Sequence, residues 1–233
     1  MCGRYSLTTP TEGLRALFGF DEMPNLPPRY NVAPTQAIAA VKLAGKTPKP
    51  TFTLFRWGLI PSWAKDPAIG SRMINARAET VAEKPAFRAP FRRRRCLIPA
   101  DGFYEWVKQP DGRKQPWRIT LEGGVPFAFA GLWDDWLGAD GSEVETCTIV
   151  TTDAAPSIAK IHHRMPVILD PADYGMWMRG TPDEAQALMH PYRGAVTAYR
   201  VSTRVNSVRN DDASILEPAS EPEPEQKAQL DLL

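Results

Sequence analysis

Proline constrains this chain more than any other residue type. There are 23 in 233 residues, about twice the usual share. Each fixes its own φ and lacks a backbone N–H, so it breaks helix interiors and sits at sheet edges, in turns or in the first turn of a helix. Many short strands joined by ordered loops are therefore expected, with few long helices. Strand-like runs cover residues 37–43, 51–57, 96–99, 103–107, 117–121, 126–132, 145–151, 166–169 and 196–201. Turn clusters such as Gln109-Pro110-Asp111-Gly112 and Gly138-Ala139-Asp140-Gly141 separate them. Three segments, starting at Thr9-Pro10, Asp170-Pro171 and Thr181-Pro182, carry a capping residue, then proline, then an acid. The last predicts a helix to about Met189, and a further helix is expected over residues 156–161. The fold class expected is α+β: a pseudo-barrel of short, mostly antiparallel strands with peripheral helices, in a single domain over residues 1–216. Residues 217–233 form an acidic Pro/Glu-rich tail, whose composition predicts disorder.

Several function classes drop out. No stretch reaches the ~20 apolar residues of a membrane span, and no signal peptide precedes Cys2, so a cytoplasmic protein is expected. Cys2, Cys96 and Cys147 are odd in number and widely spaced, which gives no disulfide framework and no C-x-x-C metal spacing. With three histidines, neither a metal nor a cofactor is expected. The net charge of +1 hides an asymmetry. Residues 65–96 hold nine basic and three acidic residues, a balance of +6, whereas residues 211–233 hold seven acids and one lysine, −6. A basic body suits a polyanion such as nucleic acid; a solvated charged surface is the plain alternative.

Candidate chemistry starts at Cys2. If Met1 is removed, Cys2 carries a free α-amine (reference pKa ~7.7–8.0) beside a thiol (~8.5). The amine can condense with an aldehyde, and the thiol can then close a five-membered thiazolidine, which an internal cysteine cannot do. The other possibility is an incidental terminal residue. His162, in Ile161-His162-His163-Arg164-Met165-Pro166, is a proton shuttle or a satisfied structural histidine. At most one of His162 and His163 is expected to point into a given site. Glu105 shares a strand face with Phe103 and Val107 if the strand alternates. It is then either an acid with a raised pKa or an edge carboxylate in water. Asn75 offers both a donor and an acceptor or stabilises a turn, and Arg77 two residues on suits a phosphate. Trp63, between Pro61 and Lys65, suits base stacking or anchors a loop.

These residues lie in segments that resemble the SRAP family, the SOS response-associated peptidases, also described as abasic-site processing proteins. The segments are Met1-Cys2-Gly3-Arg4-Tyr5, Arg29-Tyr30-Asn31-Val32-Ala33-Pro34 and Arg56-Trp57-Gly58-Leu59-Ile60-Pro61-Ser62-Trp63. They continue with Ile74-Asn75-Ala76-Arg77-Ala78-Glu79-Thr80, residues 95–106, residues 161–166, and Val201-Ser202 with Val205-Asn206. The resemblance implies a DNA groove across a pseudo-barrel, and single-stranded DNA with an abasic site as partner. It implies that Cys2, after loss of Met1, forms a thiazolidine crosslink with the abasic-site aldehyde, with Asn75, Glu105 and His162 lining the site. Arg4, Arg77 and Arg164 would grip phosphates, Trp63 would stack, and Asn31 and Pro34 would face the DNA. Two rivals remain: a cysteine peptidase using Cys2, His162 and Glu105, acting on peptides or solely to remove Met1, and a non-catalytic single-strand binder. Nothing demands more than a monomer, associated with the nucleoid through DNA.

Overall fold

The computed structural model describes residues 2–44 and 48–219; most of the acidic tail, residues 220–233, lies outside the described residues. Thirteen strands are described. They are β1 (Tyr5–Leu7), β2 (Arg29–Val32), β3 (Ala37–Ala44), β4 (Lys49–Trp57), β5 (Asn75–Arg77), β6 (Arg95–Ala100), β7 (Gly102–Lys108), β8 (Lys114–Leu121), β9 (Phe127–Leu137), β10 (Glu143–Asp153), β11 (Arg164–Pro166), β12 (Ile168–Leu169) and β13 (Val196–Arg200). The helices are short: α1 (Thr11–Phe18), α2 (Arg88–Arg93), α3 (Tyr174–Arg179) and α4 (Pro182–Ala187).

Five strands close on themselves in the order β10-β4-β3-β6-β9 and back to β10, with β5, β11 and β12 added at the margins. This is the expected barrel, in one domain. The register places Cys96 opposite Gly131 and Cys147 opposite Trp133. Directly paired residues point to the same side of a sheet, so these side chains share one face. Gly131 is required there, because a Cβ would lie 2.7 Å from the Cys96 Sγ. A second sheet, β13-β8-β7-β1-β2, stands against the barrel. Tyr5 of β1 joins the two, its ring packing edge-on against Trp57 (5.5 Å) and Phe129 (5.7 Å).

Local chemistry explains the elements. Leu14 and Phe18 of α1 are buried on one face, and Gly19 ends the helix with φ 73°, a left-handed cap that glycine adopts without strain. Thr181 and Glu184 form a full capping box on α4, but the helix stops at Ala187, short of Met189. Residues 156–161 are not a helix. They form successive turns, with Ile158 N–H bonded to Ala155 O and Ile161 N–H to Ile158 O. Both bonds span three residues, the spacing of turns and not of an α-helix. The short strands β1, β2 and β5 and the helix α2 were not foreseen. The basic run is also not a free cationic surface. Arg95 is buried and gives its guanidinium to the carbonyls of Phe91, Trp177 and Gly180. Arg94 pairs with Asp134 at 2.8 Å. Past residue 216, Pro218 bridges to Val201, and Ala219 N–H bonds to Arg200 O.

Candidate active site

The site forms at the seam of the two sheets. β1 pairs antiparallel with β7, Tyr5 opposite Phe103 and Ser6 opposite Gly102, and Tyr104 N–H bonds to Arg4 O at 3.0 Å. Continuing that register places Gly3 opposite Glu105 and Cys2 beside it. A buried polar anchor holds β1 there. Asp101 accepts from Ser6 Oγ (2.6 Å), from Thr8 Oγ1 (2.8 Å) and from the Arg118 guanidinium (3.4 Å). On the barrel side, β5 runs parallel to β10 with Asn75 opposite Ile149. Asn75 Nδ2 donates to Cys2 O at 2.9 Å. Its Oδ1 is buried and has no hydrogen-bond partner among the described residues. An orphaned acceptor of this kind carries a desolvation cost that a donor arriving at the site would relieve.

Cys2 is fully buried. Burial and, secondarily, the Glu105 charge push its thiol far above the usual cysteine range. Glu105 is 3% exposed, and burial raises its carboxyl above the ordinary value. It is therefore not an edge carboxylate in water. β7 is covered on both faces, since Tyr104 is also buried, against Val201, Val205 and Ile215. Burial lowers the pKa of His162, which favours its neutral form. Its Nδ1 lies 2.9 Å from Arg164 N and 3.0 Å from Arg164 O. The N–H can serve an unprotonated Nδ1 and the carbonyl a protonated one, so the ring is held in either charge state. The rings of His162 and His163 stack at 4.5 Å with 24° between planes.

Arg4, Glu105, Trp106, Lys114, His162 and Asn206 line an open cleft of ≈440 Å³. Arg4 donates to Asn31 Oδ1 and Val205 O, both at 2.7 Å, and its guanidinium lies over the Trp106 ring, 5.8 Å from the centroid. Trp106 Nε1 donates to Asn206 Oδ1 at 2.7 Å. Trp106, Lys114 and Asn206 were not singled out from the sequence. Trp106 had a signal in following Glu105 on the same strand; Lys114 had none until pairing was known.

The remaining expected contacts divide. Arg77 is exposed, and it shares with Asn75 the face of β5 opposite the buried Ala76. Trp63 is 60% exposed and lines a separate hollow with Lys65 and Arg72. Pro34 is half-buried before Thr35, whose φ of 70° is unusual for a β-branched residue. Two other expected contacts are engaged within the protein. Asn31 is fully buried, its amide donates to Val205 O, Ser207 O and Asn210 O, and its Oδ1 accepts from Arg4, so it braces Arg4. Arg164 is turned inward. Its guanidinium binds Glu79 (2.7 Å), Asp153 (2.9 Å) and Thr151 O (2.7 Å), so it anchors the backbone that grips His162. Among the described residues, no group of three or more His, Cys, Asp or Glu could hold a metal ion, and no helix is long and apolar enough to cross a membrane.

Fold and site together define a single-domain barrel protein whose N-terminal segment delivers a buried cysteine to the edge of a partly cationic cleft. The chain belongs to the SRAP family: the model described as "SOS response associated peptidase (SRAP)" matches residues 1–208. It is 44% identical to abasic site processing protein YoaM of Bacillus subtilis, over 93% of this chain and 98% of the relative. It is 31% identical to abasic site processing protein HMCES of Pongo abelii, over 94% and 76%. A crystal structure of a protein from Bacteroides thetaiotaomicron superposes with a TM-score of 0.83 at 28% identity, covering 94% of this chain and all of that one.

Proposed function

We propose that this protein processes abasic sites, capturing the ring-opened aldehyde in single-stranded DNA through Cys2 once Met1 has been removed. The observation that carries the reading is Asn75. It fixes the Cys2 carbonyl while leaving a buried, unsatisfied acceptor beside it, next to two proton-handling groups. The named function of the relatives supports the same class of substrate.

The Cys2 α-amine adds to the C1′ aldehyde, and the carbinolamine, taking a proton on its hydroxyl from a neighbouring acid, loses water to give an iminium. The thiol sulfur then adds to the same carbon, closing a thiazolidine, and its proton leaves to a nearby base. The net change is one water lost. Asn75 Oδ1 orients an N–H of the amine or a sugar hydroxyl. Glu105, with its raised pKa, exchanges protons near neutrality more readily than an ordinary carboxylate. Neutral His162 takes or returns the proton at the opened sugar oxygen. Arg4 and Arg77 supply charge for the flanking phosphates, and Trp63 a stacking surface. Such contacts read no base edges, so base sequence has little effect. The link would shield the site from strand breakage.

The Cys2 thiol argues against a general cysteine peptidase. Such enzymes depend on a thiolate, and here burial and the Glu105 charge both oppose ionisation. The test is a denaturing gel with three single strands: abasic, undamaged, and abasic with its aldehyde capped by methoxyamine. A shifted band is expected only with the first. Equal bands for the capped strand would overturn aldehyde capture.

A further inference from the structure

The hairpin joining β7 and β8 carries an arrangement that the site above does not use. Lys108 and Lys114 are direct partners across the ladder, and both are exposed. Like charges placed directly opposite on antiparallel strands destabilise the pair. Arg113 lies next to Lys114 in sequence, and Arg200 of β13 faces the same space. Arg113, Lys114, Arg200 and Thr203 line a cavity of ≈460 Å³, with Lys108 just outside its lining. The acid in this lining is Asp111, which Arg113 engages at 2.6 Å. Lys114 lines both this cavity and the cleft that holds Arg4, Glu105 and His162. The two spaces therefore meet at one side chain. Arg200 sits over the Trp117 ring at 5.6 Å, much as Arg4 sits over Trp106 in the cleft.

We propose that the outer face of the β7–β8 hairpin, with Arg200, is a second phosphate-binding track carrying the DNA strand on one side of the abasic nucleotide away from the cleft. This rests on the reading of single-stranded DNA as substrate. A phosphate between Lys108 and Lys114 turns their mutual repulsion into shared attraction. Contacts to phosphates carry no base-edge information, so the track is indifferent to sequence. Each phosphate it neutralises releases counterions and steepens the salt dependence of binding by about 0.7 in log–log slope for a single strand.

The test uses the full chain and the double variant Lys108→Glu/Arg113→Glu; both residues are exposed and outside the cleft lining. Two labelled strands carry a tetrahydrofuran abasic analogue, which has no aldehyde, at opposite ends, so that each extends to one side only. Binding is followed by fluorescence anisotropy across a salt series. One of the two strands is expected to bind the variant on the order of tenfold more weakly at ~50 mM salt, with a log–log slope shallower by roughly 0.7 per lost contact. The other strand is expected to bind as it does to wild type. Equal affinity for both strands in variant and wild type overturns the track. So does an equal loss on both, which would mean a diffuse field and not a path. The analogue forms no covalent product, so this outcome is independent of the gel test above. If wild type fails to crosslink an abasic strand, the proposed function falls, and the anisotropy comparison still decides the track.

Discussion

Cys2 at the sheet seam and the pair Cys96 and Cys147 in the barrel wall are equally hidden from solvent. Burial raises the pKa of all three thiols. Their surroundings differ. Cys96 and Cys147 belong to the continuous apolar core, with Ile98 and the bare Gly131 closing over Cys96. Cys2 belongs to the same core, yet its backbone is held by Asn75 and Glu105 acts on its thiol. Burial alone therefore makes an inert thiol. Under the proposed function, what distinguishes Cys2 is an α-amine on the same residue and proton-handling neighbours, not an activated sulfur.

That contrast can be broken in order of effect. Cys2→Ala should abolish adduct formation on an abasic strand, while Cys147→Ala should leave its rate unchanged and cost about 1 kcal/mol of stability, read by denaturant unfolding. An adduct that follows Cys147 instead would reverse the comparison. His162→Ala should slow adduct formation by about 10²–10⁴-fold in single-turnover kinetics, the usual range for a general acid–base group. Trp63→Ala should weaken single-strand binding by about 1–3 kcal/mol, with little change in Tm, because its side chain is largely exposed.

The smallest effect concerns Glu105 and pH. Its folded pKa lies above its unfolded one. Its contribution to stability is therefore complete below the ordinary carboxylate range and is lost as pH rises through the raised value. Glu105→Gln removes that loss. The variant's Tm should exceed wild type by a few degrees at neutral pH, and the gap should close in acid. A gap that widens in acid would contradict a raised pKa.

Much of this was legible in the sequence, and the failures have physical causes. Nine strand-like runs were recognisable because Gly, Pro and Asp clusters bracket them. β1 and β5, three residues each, were not, because their pairing comes from partners far along the chain. Those two strands place Cys2 and Asn75, so the site's geometry was the part least readable locally. Asn31 and Arg164 look like surface polar groups in sequence. Their burial depends on Val205, Ser207 and Asn210 in one case and on Glu79, Asp153 and Thr151 in the other. The segment before His162 carries a helix-like pattern, but its bonds Ile158 N–H to Ala155 O and Ile161 N–H to Ile158 O make successive turns, which local pattern does not distinguish from a helix.

The most direct measurement is intact mass analysis of the protein mixed with single-stranded DNA bearing one abasic site. The account predicts a species equal to the chain without Met1 plus the strand, less one water, and its absence with Cys2→Ala. Protein lacking Met1 that remains entirely unmodified, or an adduct that persists in Cys2→Ala, would contradict it.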